Sequence, residues 1–254
     1  AETGCYHSDY DGQLVSASGY VSAIKYNGFY MQDTPSGSLY GGMWVYAGSG
    51  SSLLDGLEIG MHVQVTGSVE EYFELTEIMV EADDPDDSVV IVDSTPVTMV
   101  PYETTTGAIG EGCTADGESH EGLLVTVRNV QLLSEANNFG EITIDDGSGP
   151  TQLEDGLLNT DTHLASLIGD TLTGATLESL TGIVHYSYSS FEIHPRDESD
   201  IVLSTVVASP SPPTAPVTTL TLADINANHD AATGCYHSDY DGQLVSASGY
   251  VSAV

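Results

Sequence analysis

Apolar residues alternate with small or polar ones from Leu14 to Ala23, and Gly19 interrupts the run midway. A period of two is that of a half-buried strand, and a glycine inside it marks a bend. The same alternation returns at 28–33 (GFYMQD), 40–46 (YGGMWVY), 62–72 (HVQVTGSVEEY, with Gly67 at its middle) and 75–80. Residues 52–57 read as a short helical or turn segment. Five strands, the first and fourth long and bent, predict a small Greek-key barrel. The run DDPDD at 83–87 predicts an exposed loop. Residues 89–92 and 96–100 read as extended segments leaving the barrel. GAIGEGCTADGE at 107–118 reads as a Gly-rich connector. The pattern then recurs at 122–133, 139–145, 151–153, 171–188 and 190–194. DDGSGP forms a hairpin turn, and 155–168 leave room for one or two helical turns.

The order GQLVSASGYVSAI, GFYMQD, GMWVYAGSG, GMHVQVTGSVEEYFELTEI, over roughly residues 12–100, resembles an OB-fold module. That module occurs in secreted bacterial and archaeal nucleases and in multidomain surface proteins. The later run EGLLVTVRNV, FGEITIDDGSGP, LTGIVHYSYSSFEIHPRDESDI resembles the second OB-like module that comes after it there. The expected fold is all-β: two tandem OB-like Greek-key barrels, joined and followed by Gly-rich and Ser/Thr/Pro-rich linkers. The divisions are 1–100 (first barrel), 101–118 (connector), 119–203 (second barrel), 204–232 (linker and lead-in) and 233–254. The resemblance implies an accessory, substrate-binding region of a secreted nuclease or other hydrolase rather than a catalytic domain.

The segment 204–216, STVVASPSPPTAP, cannot pair in a sheet and is expected to stay extended. It is read either as an O-glycosylated stalk, with Ser209, Ser211, Thr214, Thr218 and Thr219 as acceptors, or as a bare linker. No N-x-S/T sequon is present. The C-terminal stretch is a copy of the N-terminal one: Thr3–Ala23 recurs letter for letter at Thr233–Ala253, an offset of 230 residues. A repeat this long implies one unit plus the beginning of the next. The chain is therefore expected to be a window on a tandem array. The alternative is that the copy is a spare first strand docking into a neighbouring molecule. In both cases Gln243, Leu244, Val245, Tyr250 and Val251 are the assembly strand, and the expected partners are copies of the chain itself.

Charge narrows the function further. Asp and Glu total 38 against 3 Lys and Arg, a net charge of −35; the cations are Lys25, Arg128 and Arg196. A phosphate backbone would be repelled, so nucleic acid is not an expected partner. Carboxylates cluster at Asp9 and Asp11 before Gly12, at Asp83, Asp84, Asp86 and Asp87, and at Asp145 and Asp146. Calcium is the cation expected to relieve them, although none completes a calcium loop and solvated turns explain them equally well. Cysteines number two per repeat. Cys5 is expected to bond Cys113, with Cys235 pairing to the next unit; two free buried thiols are the alternative. The eight histidines lack zinc-site spacing, and no nucleophile, phosphate-loop or dinucleotide motif is present. Phe29, Tyr30, Trp44 and Tyr46 lie on the strands whose face OB-folds use for ligands. At least half of the four are expected to be structural; the rest would suit a glycan or a protein. No apolar run approaches a membrane span. The expected function is a non-enzymatic structural or adhesive unit, extracellular or at the cell surface.

Overall fold

The computed structural model describes residues 6–137, 139–158 and 175–204, with the backbone alone at 218–220 and 245–247. In the first barrel β1 (Leu14–Lys25), β2 (Gly28–Gln32), β3 (Gly42–Tyr46), β4 (His62–Tyr72) and β5 (Leu75–Met79) close in the order β1-β2-β3-β5-β4-β1. The β3–β5 ladder is parallel and the others antiparallel. β6 (Ser88–Asp93) adds to β4. β1 closes the ring by serving two partners: Leu14–Tyr20 pair with β4, and Tyr20–Lys25 pair with β2. Gly19 sits at the changeover. A Cβ there would lie 2.8 Å from the Gln32 carbonyl oxygen, so the bend requires a residue without one.

The second barrel repeats this order. β8 (Leu124–Leu132), β9 (Ile142–Asp145), β10 (Pro150–Leu153), β11 (Thr176–Ser187) and β12 (Ser190–His194) close as β8-β9-β10-β12-β11-β8, again with the third and fifth strands parallel. β7 (Tyr102–Glu103) extends the sheet beside β8, and β13 (Ile201–Leu203) pairs with β11. The connector expected to be an irregular Gly-rich run holds two short helices, α1 (Thr106–Ile109) and α2 (Ala115–His120). Thr105 caps α1 through Ala108 N–H, and Thr114 caps α2 through Gly117 N–H. Helices this short have too few turns for a 3.6-residue period to show in the sequence. The 96–100 segment is not a strand.

Alternation explains where each side chain goes. Phe29, Met31, Val45, Val63, Val65 and Ile78 fill the first barrel. The opposite side of the same strands carries Tyr30 and Trp44, and these belong to one buried cluster with Leu123, Val184, Phe191 and Ile193 of the second barrel. The two barrels therefore pack directly on each other within a single contact unit, residues 1–205. The seam is also hydrogen-bonded. Tyr40 N–H donates to the Ser119 carbonyl at 2.7 Å, Leu124 N–H to Gln32 Oε1 at 3.3 Å, and Tyr186 O–H to Glu74 Oε2 at 3.0 Å. Arg196 is held in a fork by Asp200 and donates to the Ser22 carbonyl at 3.3 Å.

The second contact unit, residues 206–254, contains β14 (Thr218–Leu220) and β15 (Val245–Ala247), paired in parallel. Thr218 and Thr219, expected as O-glycan acceptors, lie in a strand. Ser209, Ser211 and Thr214 lie outside the described residues, as do Gln243, Leu244, Tyr250 and Val251 of the assembly strand. Val245–Ala247 copy Val15–Ala17, which in β1 pair antiparallel with Val65–Gly67. The copy is extended, as its sequence demands, but its partner is Thr218–Leu220 rather than the strands of a barrel. Strand propensity is carried by the 21 repeated residues, whereas the partner is set by whichever edge is within reach.

Backbone meets backbone where β3 crosses the start of the second barrel. A Cβ on Gly42 would lie 2.3 Å from the Gly122 carbonyl carbon and 2.4 Å from the Glu121 oxygen. Gly42→Ala is expected to push the barrels apart and to cost about 1–3 kcal/mol. Urea unfolding followed by the fluorescence of Trp44, the single tryptophan, checks this. An unchanged midpoint would mean that the close approach at the seam is not tight.

Candidate functional site

The expected ligand face is not available. Phe29 is in the core of its own barrel, and Tyr30 and Trp44 are buried under the second barrel. Tyr46 is half-buried against the same cluster. Their rings are occupied: Tyr30 and Trp44 lie 4.6 Å apart, centroid to centroid, and Tyr30 O–H bonds His185 Nδ1 at 2.8 Å. Alternation in the sequence distinguishes the two sides of each strand but carries no sign that a neighbouring barrel covers the outer one.

The expected acidic clusters serve as turns. Asp9 and Asp11 are exposed. Asp84 accepts from Asp86 N–H, and Asp87 accepts from Glu81 N–H; Asp83 and Asp86 are exposed beside them. Asp145 accepts from Gly147 and Gly149 N–H. Asp146 accepts from the backbone and hydroxyl of both Thr106 and Ser148. Partial burial raises the Asp146 carboxyl, but these hydrogen bonds outweigh it and hold the group below its usual range. Among the described residues none of these clusters gathers three ligand atoms. Cys5 and Cys235 lie outside the described residues.

The structure does gather a different set. Glu154, Glu192 and His194 each offer one ligand atom, all within 4.8 Å of one another. Glu192 and His194 alternate with Phe191 and Ile193 on β12. The apolar pair faces the core, so the polar pair faces the other side of the strand, where it too is buried. Glu154 comes directly after β10, the parallel neighbour of β12, and its Oε2 accepts from Gly156 N–H at 2.6 Å. His194 Nε2 lies 3.0 Å from Glu192 Oε2 and 3.2 Å from Glu154 Oε2. His194 Nδ1 is buried without a partner. His185, opposite Glu192 in the β11–β12 ladder, brings its ring within 4.9 Å of that of His194, centroid to centroid.

These groups border a cavity of about 230 Å³. Lys25 reaches it from β1, and Phe139 and Tyr188, stacked at 6.4 Å, form its exposed rim. Burial dominates the electrostatics. It pushes Glu154 up to about 7, and Glu192 as its neighbour adds to this; it pushes Glu192 up to about 8, with Glu141 adding. It drives His194 down to about 3, and Lys25 adds to that. The histidine is therefore neutral, and its contacts with the two carboxylates are not ion pairs. The clue in the sequence was FEIH, two ionisable residues in phase on a strand that must also face a core. Glu154 carries no such signal.

A family described as a domain of unknown function (DUF8508) matches residues 117–208, the second barrel with the end of its connector. No curated protein matches the chain. Among solved structures, the crystal structure of the p204 HINb domain is 10% identical, covering 74% of this chain and 95% of its own, with a TM-score of 0.34. A second, described as "Structural mimicry for functional antagonism", is 12% identical, covering 71% and 89%, with a TM-score of 0.31. Likeness at this level carries no information on function.

The seam also buries carboxylates away from the cavity. Glu77, opposite Trp44 in the β3–β5 ladder, is raised to about 7 by burial and by Glu70, against the pull of a Trp44 hydrogen bond. Glu118 is raised to about 7 by burial and Glu71, and Glu121 well above its ordinary value by burial and Glu118. Each carboxyl holds its proton more tightly folded than unfolded. The stability this leaves is fully present below about pH 4.5 and is lost as pH rises through about 7. Denaturant midpoints at fixed ionic strength are expected to fall from about pH 5 to about pH 8, with a shallower fall in Glu77→Gln. Buried neutral His185 and His194 pull the other way below about pH 6.5, so the decisive reading is the difference between the two chains: an identical pH dependence in Glu77→Gln would show that Glu77 is not held protonated.

Proposed function

We propose that the chain is a non-catalytic structural unit of an extracellular assembly, joined to its neighbours through the repeated first strand. One observation carries this reading. The repeat of Thr3–Ala23 at 233–253 includes most of β1, the strand that closes the first barrel by pairing with both β2 and β4. A second copy of a ring-closing strand is a ready insert for a ring whose own strand has been displaced or is supplied by the next unit. Among the described residues it pairs Val245–Ala247 with Thr218–Leu220 in a two-stranded ladder. Such ladders are marginal in water, so little opposes exchange into a full barrel.

Charge supports a structural rather than a nucleic-acid role. Of the three cations, Arg128 is bound by Glu103 and Arg196 by Asp200, and Lys25 borders the seam cavity. None of them sits in a basic patch that would release counterions from a phosphate backbone. The acidic surface, the even number of cysteines per repeat and the Ser/Thr/Pro segment favour an extracellular setting. In that setting Cys5 would bond Cys113, the segment would carry O-glycans, and calcium would screen the surface carboxylates.

Analytical ultracentrifugation of the 254-residue chain, with and without residues 233–254, tests the reading. The whole chain is expected to associate with rising concentration, and the shortened chain to stay monomeric. Equal association states in the two would remove the repeated strand from the assembly.

A further inference from the structure

We propose that Glu154, Glu192 and His194 form a seat for one divalent first-row transition-metal ion, of which zinc is the representative. Two features of the geometry carry it. First, both carboxylates converge on one imidazole nitrogen, with Nε2 to oxygen separations of 3.0 and 3.2 Å. A zinc ion with bonds of about 2.0–2.1 Å in tetrahedral coordination sets neighbouring ligand atoms about 3.3 Å apart. Two of the three separations therefore already stand at ligand spacing, and the two oxygens lie within 4.8 Å of each other. Second, His194 is 3% exposed, and its hydrogen bonding does not close. A neutral imidazole has one N–H. With the proton on Nε2, a single donor faces two carboxylate oxygens and Nδ1 is a buried acceptor with nothing to accept from. With the proton on Nδ1, a buried donor has no acceptor, and the Nε2 lone pair faces two carboxyl oxygens that only a carboxyl proton or a cation can bridge. A cation at the Nε2 side takes the place of that proton and fixes the N–H on Nδ1.

The donor set selects the ion. Calcium takes six to eight oxygen ligands and magnesium keeps several waters, whereas imidazole with two carboxylates suits zinc and its neighbours. Lys25 reaches the same cavity and offsets part of the negative charge without occupying the ligand positions. The cavity of about 230 Å³ leaves room for water to complete the coordination. The seat is built on β12 and the turn after β10, and Lys25 of β1 borders it, so a bound ion would couple metal affinity to the seam. The expected calcium and its surface clusters play no part in this site.

The test uses the full chain stripped with chelator. Zinc is titrated by calorimetry in excess calcium, which occupies the exposed carboxylates. One saturable equivalent is expected, weakened at least about tenfold in Glu154→Gln and in His194→Gln. Asp145→Asn, in a remote turn, should leave it unchanged. If His194→Gln fails to fold by circular dichroism, Glu154→Gln carries the comparison, because Glu154 is less buried and its amide is isosteric. Cobalt provides a readout that needs no variant: a four-coordinate nitrogen–oxygen site gives strong visible absorption, while scattered surface binding gives only the weak spectrum of the hydrated ion. The absence of a one-equivalent site, an equivalent untouched by both substitutions, or a cobalt spectrum of the hydrated kind would each overturn the proposal.

Discussion

Tyr30 and Trp44 cannot be left in water. They sit side by side on the outer face of β2 and β3, back to back with Phe29 and Val45, which fill the first barrel. Each large ring buries on the order of 150–250 Å² when covered. The cover is the second barrel, and that contact constrains the rest of the structure. Gly42 and Gly122 must lack side chains so that the backbones can meet. The Tyr30 hydroxyl finds His185 because a buried polar tip needs a partner. The connector must fold into α1 and α2, since an open loop would not present Ser119 and Glu121 to the first barrel.

Covering this face in so acidic a chain has an electrostatic consequence. Carboxylates are numerous, so the seam encloses several of them with little positive charge to pair. Glu71 and Glu121 each share a hydrogen bond with Thr76, through one oxygen, while the second oxygen of each is buried without a partner. Glu154 and Glu192 converge on a neutral histidine. Each such group gives up hydration that only a proton, a donor or a cation can replace. The carboxylates with raised affinity for protons therefore lie along the seam, whereas Asp145 and Asp146 accept from loop N–H and hydroxyl groups.

Much of the fold was legible. The period of two located β1, β2, β4, β5 and β12 to within a residue or two, and Gly19 marked the bend at which β1 changes partner. Alternation also separated Phe29 and Met31 from Tyr30 and Gln32. It could not supply which side meets water, because that depends on a domain far along the chain. The same gap hid the candidate site. Glu192 and His194 share a strand face in the sequence, but Glu154 joins them through the parallel β10–β12 ladder, and Lys25 reaches them from the first barrel. The surface carboxylate clusters stood out in the sequence because they are local, and the structure places them in turns. The partner of the repeated strand was likewise beyond reach, since Val15–Ala17 and Val245–Ala247 are identical and pair differently.

The seam makes the two barrels one cooperative body. Native-state hydrogen exchange, read by mass spectrometry at increasing denaturant, tests this most directly. The amides of β1 and β4 in the first barrel and of β8 and β11 in the second should approach one common opening free energy, with equal dependence on denaturant. If one barrel exchanges fully while the other stays protected, the barrels are independent beads, and the seam is a contact without structural consequence.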